Sequence, residues 1–231
     1  MRYIRDTSGR FPERPYYEPG ELDELCEGIV ETFLRRKYGT VRYPIPTDGL
    51  ELLIEQQEVV LDCYSDLDYL GADTHGATVF EPNKPTRVYV SKQLSENAVR
   101  ENRFRTTLAH ELGHVLLHGP LFRAAKTGDL FDLSASSRAT CTRRSVELAA
   151  QTDWLEWQAG FVAGALLMPI TRLRQLAATT LSEVGAVSID STAAQSLIRR
   201  VMRTFQVSRA AAEVRLQQAG LVTPREVSRL L

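Results

Sequence analysis

Leu108-Ala-His110-Glu111-Leu-Gly-His114-Val-Leu-Leu-His118 is the stretch from which this chain is best read. Its apolar residues recur at helical spacing, which predicts a strong helix from about residue 97 or 100 to 118, stopped by Gly119-Pro120. On a helix, residues four apart share a face about 6 Å from each other, so His110 and His114 can converge on one ion. That spacing suits zinc, whose catalytic sites use three protein ligands and keep one position open for water. Glu111 is turned about 100° around the helix, beside that water, where it can act as the base that takes its proton. With four His and 18 Glu in the chain, HExxH arises by composition in roughly one such sequence in two hundred. His118 lies about 12 Å from His110 along a straight helix and is not expected to share the ion. It reads as a helix-end histidine facing terminal carbonyls. A longer motif, with a third His six residues after the second, is absent, because that position is Pro120.

A third ligand must come from elsewhere, and Asp153-Trp-Leu-Glu156-Trp-Gln-Ala-Gly-Phe-Val-Ala-Gly-Ala-Leu-Leu-Met168-Pro169 is the place to look. Small and apolar residues dominate it, as in a helix packed tightly on a neighbour, and its acids stand at the N-terminal end. Glu156 is the first choice and Asp153 the second. The alternative is that both acids only complement the helix dipole.

Outward from these two helices the pattern is α+β. Three prolines among residues 1–19 argue for an extended arm without a regular element. An amphipathic helix is expected over 21–37, ended by Gly39, and a short one from 47 or 48 to 57. β-rich runs at 59–64, 77–80 and 87–90, the last two separated by Pro82-Asn83 and Pro85, predict a small, largely antiparallel sheet. Residues 123–150 are polar and are expected to form a mobile or partly disordered insertion. Helices are expected near 152–167, 170–182, 191–205 and 209–219. The organisation expected is an arm (1–19), a main domain (20–169) and a helical C-terminal subdomain (170–231).

The chain has 231 residues, 43% hydrophobic and 25% charged, with a net charge of −1, which is ordinary for a globular protein. No stretch reaches the roughly 20 apolar residues of a membrane span, and the first residues lack a secretion-signal core. Cys26, Cys63 and Cys141 are odd in number and form no CxxC pair, so neither a disulfide framework nor a cysteine zinc site is indicated. A cytoplasmic location without membrane contact is the expectation. Charge is uneven: from residue 171 onward nine Arg stand against four acids, which fits a nucleic-acid contact or a basic face docked on an acidic partner.

The sequence resembles the ImmA/IrrE family of metallopeptidases. The residues that carry the likeness are Arg103-Phe-Arg-Thr-Thr-Leu-Ala-His110-Glu-Leu-Gly-His114, then Glu156-Trp-Gln-Ala with Leu166-Leu-Met-Pro169, and more weakly Phe205 to Leu221, together spanning about residues 45–222. Gly160 and Val162 stand where members usually carry Asn and Ala. The resemblance implies a zincin-like domain whose HExxH is completed by Glu156, with zinc as cofactor. It implies a site-specific endopeptidase acting on helix-turn-helix repressors, and hence roles in transcription regulation and stress response. Members with their own DNA-binding or sensor domain are longer, so a separately encoded repressor is the expected substrate.

Other residues carry weaker alternatives. Cys141 can act as a thiolate that blocks the open metal position, or it is an incidental loop thiol. His75 can stabilise an oxyanion if its loop overhangs the site, or it is an ordinary turn histidine. Trp154 and Trp157 read as packing anchors. The basic tail, with Val207 to Gly220 similar to a helix-turn-helix fragment, supports a different function class: a DNA-binding regulator whose metal site is structural or regulatory.

Overall fold

The computed structural model describes residues 1–71, 73–81, 84–125, 137–142, 153–181 and 186–225. Its elements run β1 (Arg2–Arg5), β2 (Glu13–Tyr16), α1 (Pro19–Tyr38), α2 (Thr47–Glu55), β3 (Val60–Ser65), β4 (Thr74–Phe80), β5 (Arg87–Ser91) and α3 (Lys92–Ser95). They continue with α4 (Glu101–Ala125), β6 (Ser137–Thr142), α5 (Trp154–Leu167), α6 (Ile170–Ala178), β7 (Val187–Ser188), α7 (Thr192–Phe205), α8 (Arg209–Gln218) and β8 (Val222–Thr223). The α+β class expected from the periodicities is the class observed.

The arm is extended but paired on itself. β1 and β2 form an antiparallel ribbon with Tyr3 opposite Pro15. Its turn is organised by the buried Asp6 carboxylate, which accepts from the backbone N–H groups of Ser8 (2.9 Å) and Phe11 (3.0 Å) and from the Ser8 hydroxyl. α1 begins with Pro19 at a position where a missing N–H costs nothing, and the Glu21 carboxylate accepts from the Glu18 N–H. Leu22, Cys26, Val30, Phe33 and Leu34 form its buried stripe.

The main sheet has the order β3-β5-β4-β6. β3 and β5 are parallel, whereas β4 runs antiparallel to both neighbours, with Thr78 opposite Val88 and Ala139. β6 falls inside the stretch expected to be an insertion without structure. Its pairing covers the second edge of β4, which would otherwise present unpaired backbone groups. The remainder of that insertion, 126–136 and 143–152, lies outside the described residues.

α4 also runs past its expected stop, continuing through Pro120 to Ala125. Pro in a helix interior costs about 3 kcal/mol, but Leu121 and Phe122 beyond it are buried in an aromatic cluster with Phe11, Phe80, Trp154 and Leu155, and that burial offsets the loss. α4 packs chiefly on α5. The approach is close at Gly113, where a Cβ would come 3.0 Å from Ala159 Cα and 3.1 Å from its carbonyl oxygen. Leu197, Phe205 and Leu216 of α7 and α8 share one core with Leu108 and Leu112 of α4. Among the described residues no helix is long and apolar enough to cross a membrane.

Candidate metal centre

His110, Glu111 and His114 are fully buried on α4. The Gly113–Ala159 crossing brings the first turns of α5 onto the same face, and Glu156 reaches the two imidazoles. His110 Nε2 lies 3.1 Å from Glu156 Oε2 and 3.1 Å from His114 Nε2. His114 Nε2 lies 3.3 Å from Glu156 Oε1. Ligand atoms of all three residues fall within 4.8 Å of one another, a cluster compatible with a metal ion. Burial raises the pKa of Glu156, but the hydrogen bond from His110 and the adjacent His114 imidazole outweigh burial and hold the carboxyl well below its usual range. Asp153, the second choice from sequence, is placed differently. It caps α5 by accepting from the Leu155 N–H (3.1 Å) and is clamped by both guanidinium ends of Arg10 at 3.0 and 2.9 Å.

His118 is not a helix-end histidine, because α4 continues past it. It is fully buried, with Nδ1 2.9 Å from His114 Nδ1 and Nε2 3.1 Å from Gln158 Oε1. The Gln158 Nε2–H donates to the Pro15 carbonyl at 2.9 Å. This chain fixes the protons. A backbone carbonyl can only accept, so the Gln158 amide faces Pro15 with its NH2 and turns Oε1 to His118. His118 must then carry its proton on Nε2, leaving Nδ1 to accept. Burial lowers the pKa of both His114 and His118, which keeps the imidazoles neutral. His114 therefore donates from Nδ1, and its Nε2 presents a lone pair to the cluster. That Nε2 lies 3.1 Å from His110 Nε2 and 3.3 Å from Glu156 Oε1, an arrangement that a cation between them would satisfy.

Glu111 is on the neighbouring face, against β4. The Thr78 hydroxyl donates to its Oε2 at 2.6 Å. Its Oε1 lies over Gly76, where a Cβ would come 2.8 Å from Thr107 Cγ2 and closer still to the Glu111 carboxylate. Gly76 and Thr78 were not singled out from sequence, and their only signal is alternation on a strand that faces α4. His75 lies in strand β4 and not in a turn, and it borders the same cavity as His110. Cys141 belongs to β6, whose side chains lie outside the described residues, and so does the blocking role weighed for it. Trp154 is a packing anchor in the aromatic cluster, while Trp157 is partly buried against the main core.

Several arginines of the basic tail have partners within the chain. Arg215 is fully buried, with Nη2 2.6 Å from Asp23 Oδ1 and Nε donating to the Met168 carbonyl at 3.2 Å. Arg209 pairs with Glu213 and Arg225 with Asp190.

The model of the peptidase family described as the IrrE N-terminal-like domain matches residues 72–217. The chain belongs to this family. The matched stretch holds His110, Glu111, His114, Glu156, His118 and Gln158, as well as α8. Pro15 and Arg10, which bond Gln158 and Asp153 from the ribbon, stand outside it. No individually curated protein matches the chain.

Proposed function

We propose that this family member is a zinc-dependent endopeptidase, with His110, His114 and Glu156 as ligands and Glu111 as catalytic base. The observation that carries this reading is the convergence of three residues whose donor atoms approach pairwise to 3.1–3.3 Å, with the His114 Nε2 lone pair fixed by the His118–Gln158 chain. Tetrahedral zinc with ligand bonds of about 2.0–2.2 Å has edges of about 3.3–3.6 Å, close to these separations, and two imidazoles with one carboxylate are a donor set that catalytic zinc uses. When bound, zinc supplies Lewis acidity, polarising the scissile carbonyl and lowering the pKa of water.

The remaining work falls to the chain itself. Glu111 takes a proton from the attacking water and returns it to the leaving amine. Thr78 holds one Glu111 oxygen, so the carboxylate keeps its orientation between the two transfers. His75 borders the cavity beside His110, and the role proposed for it is donation to the oxygen that gains charge. The substrate proposed is a helix-turn-helix repressor, encoded separately and cleaved in the cytoplasm during a stress response. Its support is membership of the family together with the motif resemblance.

The test is elemental analysis of the purified protein followed by co-expression with candidate helix-turn-helix repressors. One zinc per chain and cleavage that disappears in Glu111→Gln are expected. Equal cleavage by both proteins, or no bound metal under replete conditions, removes the proposal.

A further inference from the structure

α1 and α2 touch where Gly49 meets Phe33 and Tyr38, and a groove of ≈ 980 Å³ opens between them. Its lining residues fall between 24 and 57, whereas the family match covers 72–217. The groove is therefore built by a part of the chain that family membership does not require. Its floor is apolar: Leu25, Ile29 and Phe33 come from α1 and Leu52 from α2. Phe33 is buried and Ile29 and Leu52 pack partly on the main core, but Leu25 is 40% exposed. On α1 the lining positions 25, 28, 29, 32 and 36 recur at three and four, so the groove runs along the helix.

Gly28 lines the groove in the middle of α1, where glycine is a poor helix former. A Cβ there would meet nothing within 4 Å, so no contact inside the chain calls for a missing side chain. A bare backbone on a groove wall lets a second backbone come close. The two ends of the groove differ in charge. Glu24 borders one and Arg36 with Lys37 the other, about 20 Å apart at the rise of a helix. Small-molecule sites gather their polar groups at one point, and this site does not. An apolar floor of that length with opposite charges at its ends fits an amphipathic helix, whose anchors recur at the same spacing.

We propose that this groove, apart from the metal centre, docks one amphipathic helix of the substrate. The helix has about three to four turns, an apolar stripe against Leu25 and Ile29, a cation toward Glu24 and an acid toward Arg36 and Lys37. Naming the partner as substrate rests on the peptidase reading above; the capacity to bind a helix does not.

The probes are peptides of about 15 residues held helical by lactam bridges on their polar face, titrated by fluorescence anisotropy into the zinc-loaded chain. One has a leucine stripe with Lys at one end and Glu at the other, a second has the stripe with Lys at both ends, and a third has its leucines scrambled around the helix. The first is expected to bind at least about 10-fold tighter than the scrambled peptide and about 3- to 10-fold tighter than the second. In Arg36→Glu/Lys37→Glu the order of the first two reverses. Gly28→Gln, which fills the wall, should weaken the first peptide at least about 10-fold, while zinc stays at one per chain and the melting temperature is no lower than wild type, since Gln is the better helix former. With a cleaved repressor as substrate, the same variant should raise KM by that factor and leave kcat unchanged.

Striped and scrambled peptides binding alike, or Gly28→Gln binding as wild type does, overturns the docking site. So does a dimer in sedimentation that Gly28→Gln converts to monomer, which gives the groove to a second copy. An unchanged KM for the repressor in Gly28→Gln overturns substrate docking and leaves the peptidase standing. Tight binding of the first peptide with no repressor cleaved keeps the helix groove and removes the peptidase reading.

Discussion

Gln158→Leu isolates the proton chain behind His114. The substitution nearly conserves volume and deletes both polar ends of the bridge at once. His118 Nε2–H and the Pro15 carbonyl, whose bonds to Gln158 are both buried, then lack partners. Each such group costs about 1–3 kcal/mol, so stability should fall by roughly 2–6 kcal/mol. For a chain of this size that corresponds to a melting temperature lower by roughly 4–24 °C. The metal centre is expected to suffer separately. Without an acceptor at Nε2, His118 is free to move its proton to Nδ1, and His114 then loses the partner that keeps its own proton away from the cluster. Outer partners of metal-bound imidazoles typically control affinity by about 10–100-fold, so zinc affinity, measured by chelator competition, should drop by that order.

Gln158→Glu separates this effect from simple loosening. A carboxylate still accepts from His118 Nε2–H but has no donor for Pro15. Its melting temperature should fall while its zinc affinity stays close to wild type. Nitrogen-15 shifts of the zinc-free wild type should show the His114 proton on Nδ1 and the His118 proton on Nε2. A zinc affinity in Gln158→Leu equal to wild type, or a His114 proton found on Nε2, would refute the reasoning.

Other consequences are more direct. Glu111→Gln should keep its zinc and lose about 10²- to 10⁴-fold in turnover of the cleaved partner, the range supplied by a positioned base. Gly76→Ala forces a methyl against Glu111 and Thr107 and should lower turnover at least about ten-fold, by analogy with other misplaced catalytic groups, with zinc content unchanged. Acid should release the ribbon. Burial raises the Asp6 pKa, but bonds from Ser8 and Phe11 outweigh it and leave the group below its ordinary value of 3.8. A depressed folded pKa contributes stability that is present above the unfolded value and lost as pH falls through the folded one. Trp154, which packs on Phe11 and under Arg14, should therefore change fluorescence below about pH 4, whereas Asp6→Asn, whose side chain cannot ionise, should show the altered signal already at neutral pH and lack that transition; identical profiles would remove the assignment.

The elements that were legible in sequence are those whose periodicity and stop signals agree. α1 with its apolar stripe and α7 with Ser191 before it differ from expectation by two residues or fewer. The HExxH residues and Glu156 were legible because spacing on one helix fixes direction, and a known motif narrowed the choice between two acids. Pro120 misled because a local helix breaker was outweighed by burial of Leu121 and Phe122, which depends on Phe11 more than a hundred residues away. β6 was hidden for the same reason, since its composition is polar and its cause is an unsatisfied strand edge elsewhere.

Pro15 marks the sharper limit. Its contribution to the metal centre is a carbonyl oxygen, which every residue possesses and no motif encodes. β2 is paired by β1 on one side only, and a strand edge left open must satisfy its carbonyls from somewhere. Gln158 does so, and because its amide has one donor face and one acceptor face, meeting that backbone need also decides which nitrogen of His118, and then of His114, holds a proton. Family membership resides in residues 72–217, yet the protonation of one of the three clustered imidazole and carboxylate groups is set from residue 15. Substitutions in the ribbon should therefore alter zinc affinity without touching a single motif residue, and they should do so only where they displace that carbonyl.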